Sequence, residues 1–125
     1  MNYILVVDDE IDIREALVEI LKREEYSVES ARNGQDALDF LKAAKRLPQL
    51  IILDLFMPIM DGKEFLNILT QDPKMNHIPI LVVSGSEQAI PHPPKHCQVF
   101  RKPFPAHELL LTVKTLLKPG EFSEQ

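Results

Sequence analysis

The sequence predicts an α/β fold, a doubly wound five-stranded parallel sheet with helices on both faces. Three observations carry that prediction. Short apolar runs recur along the chain and each stops on a polar residue: 3–7 at Asp8-Asp9, 50–53 at Asp54 and 80–83 at Ser84. Between the runs, apolar residues fall three and four apart, the period of an amphipathic helix. The run Leu50, Ile51, Ile52, Leu53 shows no polar alternation, the pattern of a strand buried on both faces.

The elements follow in order. Residues 3–7 form the first strand. Ile13, Ala16, Leu17, Ile20 and Leu21 mark the inner face of a helix over about 11–24. Its outer face carries Arg14, Glu15, Glu19, Lys22 and Arg23. Residues 26–31 alternate enough for a second strand, more polar and therefore expected at an edge. Asn33-Gly34 turns the chain into a second helix marked by Ala37, Leu38, Leu41 and Ala44. Lys45-Arg46 are expected in its last turn, with Pro48 beyond. Residues 50–53 are the third strand.

A third helix over about 62–70 buries Phe65, Leu66 and Leu69 and ends at Asp72-Pro73. Residues 80–83 are the fourth strand. Pro91, Pro93 and Pro94 forbid a regular helix through residues 87–96. The fourth helix is therefore expected to be short or irregular, one or two turns near residues 86–90, before an extended loop. Residues 98–100 give a short fifth strand. A last helix over about 105–117 presents Leu109, Leu110, Val113, Leu116 and Leu117 on one side, and Pro119-Gly120 closes it. Residues 1–119 read as one domain and 120–125 as a frayed tail.

Composition narrows the function. The chain has 125 residues, enough for one domain that buries roughly two thirds of its unfolded surface. A net charge of −5, with no Lys/Arg run, argues against direct contact with nucleic acid. The single Cys97 cannot form an internal disulfide, which suits a reducing compartment. No stretch approaches the roughly 18 apolar residues that span a bilayer, and the first apolar run is too short for a secretory signal. The expected setting is the cytoplasm, away from membranes.

Ligands of open α/β sheets bind outside the carboxyl ends of the strands, so Asp54 stands at the mouth of a potential site. Alone, it reads better as the cap of the next turn. The flavodoxin-like strand order 2-1-3-4-5 would bring Asp8 and Asp9 beside it, with Ser84 and Lys102 on the same rim. Three crowded carboxylates call for a hard divalent cation with oxygen ligands, and Mg2+ takes one or two carboxylates together with phosphate. A carboxylate can attack phosphorus and become an aspartyl phosphate, while an ammonium and a hydroxyl neutralise the phosphoryl oxygens. These residues supply every one of those parts.

The chain resembles the receiver domains of two-component response regulators, the CheY-like family, from about residue 3 to 118. The likeness rests on Val6-Val7-Asp8-Asp9-Glu10, Asp54-Leu55-Phe56-Met57-Pro58 with Met60-Asp61-Gly62, Val83-Ser84-Gly85 and Lys102-Pro103-Phe104. The resemblance implies that Asp54 accepts a phosphoryl group from a sensor histidine kinase or a histidine phosphotransfer protein. It implies Mg2+ or Mn2+ on Asp9, Asp54 and the backbone carbonyl of Phe56, with Asp8 reaching the metal through water. Ser84 and Lys102 would each hold a phosphoryl oxygen, and Phe100 would turn inward as Ser84 moves. Phe56 and Ser86 would flank the path of the hydrolytic water. With the fourth helix eroded, the dimer face common in the family would be weakened.

Other residues carry less. His77, His92, His96 and His107 lack metal-ligand spacing, and Cys97 reads as a small buried hydrophobe. Two other functions fit worse. A phosphohydrolase of the haloacid-dehalogenase type, also working through an aspartyl phosphate, needs an acid two residues after the nucleophile, where this chain has Phe56. A nucleotide-binding domain wants a Gly-rich first turn in place of Asp8-Asp9-Glu10. The expected catalysis is limited to the chain's own phosphorylation and dephosphorylation. No output domain follows Leu117, so the expectation is a stand-alone regulator or a domain excised from a larger one, with a protein target the sequence does not name.

Overall fold

β1 (Ile4–Val7), β2 (Val28–Ala31), β3 (Leu50–Asp54), β4 (Ile80–Ser84) and β5 (Cys97–Arg101) form one parallel sheet in the order β2-β1-β3-β4-β5. Among the described residues four helices accompany them: α1 (Ile11–Arg23), α2 (Gly34–Ala43), α3 (Gly62–Thr70) and α4 (Ala106–Leu117). This computed structural model describes residues 2–55, 59–84, 97–101 and 105–117, without the side chains of Ser84 and Arg101. The short or irregular helix expected between β4 and β5 lies outside those residues, as does the tail.

The apolar runs are apolar throughout because the sheet is covered twice. Leu5, Val7, Ile51, Leu53 and Val82 join Ala37, Leu38, Leu41, Phe65 and Leu69 in one buried cluster, beneath α2 and α3. Ile4, Val6, Leu50, Ile52, Leu81 and Val83 join Leu17, Leu21, Leu109 and Val113 in the other, beneath α1 and α4. Successive residues of a strand point to opposite faces, so each run feeds both clusters alternately. β2 is an edge strand with two exposed residues, as its polarity predicts.

Three local readings need correction. Ala16, expected on the inner face of α1, is exposed, and half-buried Val18 packs against the cluster instead. β2 begins at Val28 rather than residue 26, because Tyr26 finishes α1. Its N–H donates to the Leu21 carbonyl at 3.2 Å, and the Glu25 N–H donates to that of Lys22 at 2.9 Å. That pair of bonds is a Schellman ending, with Glu25 in the left-handed region at φ 68° where glycine is usual. Finally, α2 ends at Ala43, so Lys42 occupies its last turn and Lys45-Arg46 lie past it.

Candidate functional site

β1 and β3 are neighbours, with Val7 level with Leu53, so the residues that follow each of them emerge side by side. They are Asp8, with Asp9 next to it, and Asp54. One carboxylate oxygen from each of the three lies within 4.8 Å of the others. Asp8 and Asp54 are almost fully buried, at 1% and 5% exposure. Asp9 is exposed. At such separations each pair of negative charges repels by on the order of 1–4 kcal/mol, depending on local polarity. Three hard anionic oxygen donors at the carboxyl ends of neighbouring strands therefore fit a divalent cation that prefers oxygen ligands. Softer metals would want sulfur or imidazole, which this donor set lacks.

The backbone around the acids is closely held. Asp8 Oδ1 accepts a bond from the Glu10 N–H at 3.0 Å, the Asp8 N–H donates to the Ala31 carbonyl at 3.2 Å, and Arg14 Nη1 donates to the Asp8 carbonyl at 2.9 Å. On the other side, the Gly62 N–H donates to the Leu55 carbonyl at 2.8 Å, stacking the start of α3 on the end of β3. Asp61, not Asp54, caps α3, accepting from the Glu64 N–H at 2.9 Å. Asn33 caps α2 through the Asp36 N–H at 2.8 Å. Gly34 then donates to the Met60 carbonyl at 3.2 Å, tying the turn after β2 to the turn before α3.

Of the residues expected at the site, Asp8, Asp9 and Asp54 are brought together. Ser84 ends β4, the strand beside β3, and is level with Arg101 of β5. Its side chain, Phe56 and Lys102 lie outside the described residues. Phe100 is level with Val83 and half-buried against the cluster under α1 and α4. Sequence reasoning misses Arg14, since its place in the helical pattern suggests an outward face. The available signal is its position in the first turn after the acids, where side chains lean toward the helix N-terminus.

With that geometry in place, likeness to known proteins is informative. Residues 4–114 match the family model of the response regulator receiver domain. The chain is 35% identical over 119 residues to the response regulator MprA of Mycolicibacterium vanbaalenii, covering 92% of this chain and 50% of that protein. It is 37% identical over 123 residues to the transcriptional regulatory protein ResD of Bacillus subtilis, covering 92% and 48%. The chain thus spans about half the length of the curated relatives it matches. Among solved structures it resembles the signal receiver domain of a signal transduction histidine kinase from Syntrophus aciditrophicus, with TM-score 0.84, 30% identity and coverage of 95% and 92%. It also resembles the response regulator TrrA of Thermotoga maritima in complex with Mg(2+)-BeF, with TM-score 0.81, 33% identity and coverage of 94% and 100%.

Proposed function

The chain belongs to the response regulator receiver domain family, and on that premise we propose that Asp54 accepts a phosphoryl group from a phosphohistidine of a sensor histidine kinase or histidine phosphotransfer protein. Phosphorylation-driven switching in two-component signalling is the family function. The observation that carries the proposal is the meeting of Asp8, Asp9 and Asp54 at the carboxyl ends of the adjacent strands β1 and β3.

In the transfer, an oxygen of Asp54 bonds to phosphorus while the N–P bond breaks and its electron pair returns to the imidazole nitrogen. Mg2+ or Mn2+, held by Asp8, Asp9, Asp54 and the Phe56 carbonyl, would supply charge neutralisation at the phosphoryl oxygens. The Lys102 ammonium and the Ser84 hydroxyl would each hold one of those oxygens. The near-complete burial of Asp54 limits the water that reaches it. Catalysis stays confined to this chain's own phosphorylation and dephosphorylation.

The output in this proposal is a changed surface near β4 and β5. Phe100 packs against the cluster that holds Leu109 and Val113 of α4, so a pull on Ser84 would pass through β5 into that helix. The recipient would be a protein in the cytoplasm, with no direct contact to nucleic acid or membrane. Among the described residues no helix is long and apolar enough to cross a membrane.

The test is incubation with a small acyl-phosphate donor and Mg2+. The chain should gain one alkali-labile phosphoryl group, and Asp54→Asn should gain none. Lys102→Ala should take the group yet lose the conformational response. Label on a serine, or full labelling of Asp54→Asn, overturns the assignment.

A further inference from the structure

We propose that Arg14 is a positioning residue for the acidic site: its guanidinium fixes the peptide joining Asp8 to Asp9 and so sets where the Asp9 carboxylate stands. The inference rests on the reading of Asp8, Asp9 and Asp54 as a divalent-cation and phosphoryl site. Asp9 is the exposed member of the three, and among the described residues its carboxylate makes no hydrogen bond. Its place is therefore set by the backbone on either side of it.

That backbone is anchored at Asp8. β2 ends at Ala31, where the Arg32 N–H turns to Asp36 Oδ2 at 3.0 Å. The carbonyl of Asp8 thus lies past the end of the β1–β2 pairing and takes its bond from Arg14 Nη1 at 2.9 Å. The Arg14 N–H meanwhile donates to the Glu10 carbonyl at 2.9 Å. One residue therefore grips the loop at both ends, Asp8 with its side chain and Glu10 with its main chain, and Asp9 lies between them. Arg14 is half-buried, so this grip is shielded from competing water.

Charge and position have opposite signs here, which makes the role measurable. A guanidinium beside a cation site repels the cation. If charge were its only action, removing it would tighten cation binding. If it holds the Asp8–Asp9 peptide, removing it loosens binding.

The experiment is titration of the full chain with Mg2+ alone, by calorimetry, for wild type, Arg14→Met and Arg14→Lys, with urea midpoints recorded without metal. Loss of a residue that orients metal ligands commonly weakens affinity by about 10-fold or more, and Arg14→Met should show a Kd weaker by about that factor. Arg14→Lys, which keeps the charge and one donor, should fall between. With a small acyl-phosphate donor, the Mg2+ concentration for half-maximal phosphorylation should rise, while the rate at saturating Mg2+ stays close to wild type. Should Arg14→Met fail to fold, a Kd for Arg14→Lys equal to or tighter than wild type overturns the proposal. An unchanged or tighter Kd in folded Arg14→Met overturns it too. A wild-type chain that binds no Mg2+ overturns the reading of the acidic site itself.

Discussion

Gly62 touches the main chain of Asp54: a Cβ on Gly62 would stand 2.6 Å from the Asp54 carbonyl oxygen and as close to the Leu55 Cα. Both neighbours are backbone and cannot swing aside. The first residue of α3 must therefore carry no side chain, and α3 presses directly on the strand end that carries Asp54. Gly62→Ala should destabilise the fold by about 1–3 kcal/mol, the usual cost of overpacking. It should also slow phosphorylation more than Leu66→Ala does, because the forced shift falls on Asp54. Denaturant midpoints and labelling rates of the two variants decide this; equal labelling counts against it.

The acidic cluster makes a second prediction. Removing one of three mutually repelling charges should raise metal-free stability, so Asp9→Asn should gain on the order of 1 kcal/mol. The same change should cut the stabilisation by Mg2+, which for the wild type reaches about 2.7 kcal/mol when Mg2+ is 100 times its Kd. Thermal melts with and without Mg2+ measure both effects. A wild-type midpoint indifferent to millimolar Mg2+ would mean that the metal site is misassigned.

Backbone strain supplies a third. Glu25 at φ 68° and Ile59 at φ 70° are non-glycine residues in the left-handed region, and both are exposed. That conformation costs an L-residue roughly 1–2 kcal/mol, more for a β-branched side chain. Glu25→Gly should therefore raise stability, by less than that strain because glycine also gains entropy when unfolded. Ile59→Gly should gain at least as much. A fall in the urea midpoint for either would contradict the strain argument.

Phosphoryl lifetime gives a fourth. By the family resemblance Phe56 would flank the path of the water that hydrolyses the aspartyl phosphate, and a phenyl ring cannot hydrogen-bond that water. Phe56→Asn should shorten the lifetime of the phosphorylated chain several-fold, followed as loss of mass or label over time. Equal or slower decay would count against the assignment of that position.

Cys97 sets a pH dependence. Burial pushes its thiol up from the ordinary 9.0 to about 11. The fold therefore favours the neutral thiol, and this contribution is fully present below pH 9 and lost as pH rises through 11. A thiol held this high carries about a hundredfold less thiolate near neutral pH than an ordinary one. Alkylation at pH 8 should accordingly be far slower in the native than in the unfolded chain. Similar alkylation rates in the two states would show that the thiol is not held back.

Much of this molecule is legible in one dimension. The apolar run Leu50 to Leu53 announces a strand covered on both faces, and it is buried throughout. The three-four spacing of Leu17, Leu21, Leu38 and Leu41 gives the inner faces of α1 and α2. Strands alternating with helices predict a parallel sheet with right-handed crossovers, and the flavodoxin-like order, one of the few such topologies allowed, is the one that brings Asp8 and Asp9 to Asp54. Those inferences succeed because hydrophobic burial acts through local periodicity, which the sequence carries in full.

Only the folded chain decided distances and choices between neighbours. Periodicity assigns Arg14 an outward angle on α1, but the long side chain bends back to the Asp8 carbonyl where β2 has already turned away. Tyr26 looks like strand until α1 claims its N–H for the Schellman ending. Gly62 reads as a helix start, and nothing local tells that the backbone of Asp54 presses on it. Alternation says that Val99 and Phe100 point opposite ways, not that Phe100 takes the face shared with α1 and α4. In each case the deciding partner is remote in sequence or is a main-chain atom, and neither kind leaves a trace in the pattern of residue types.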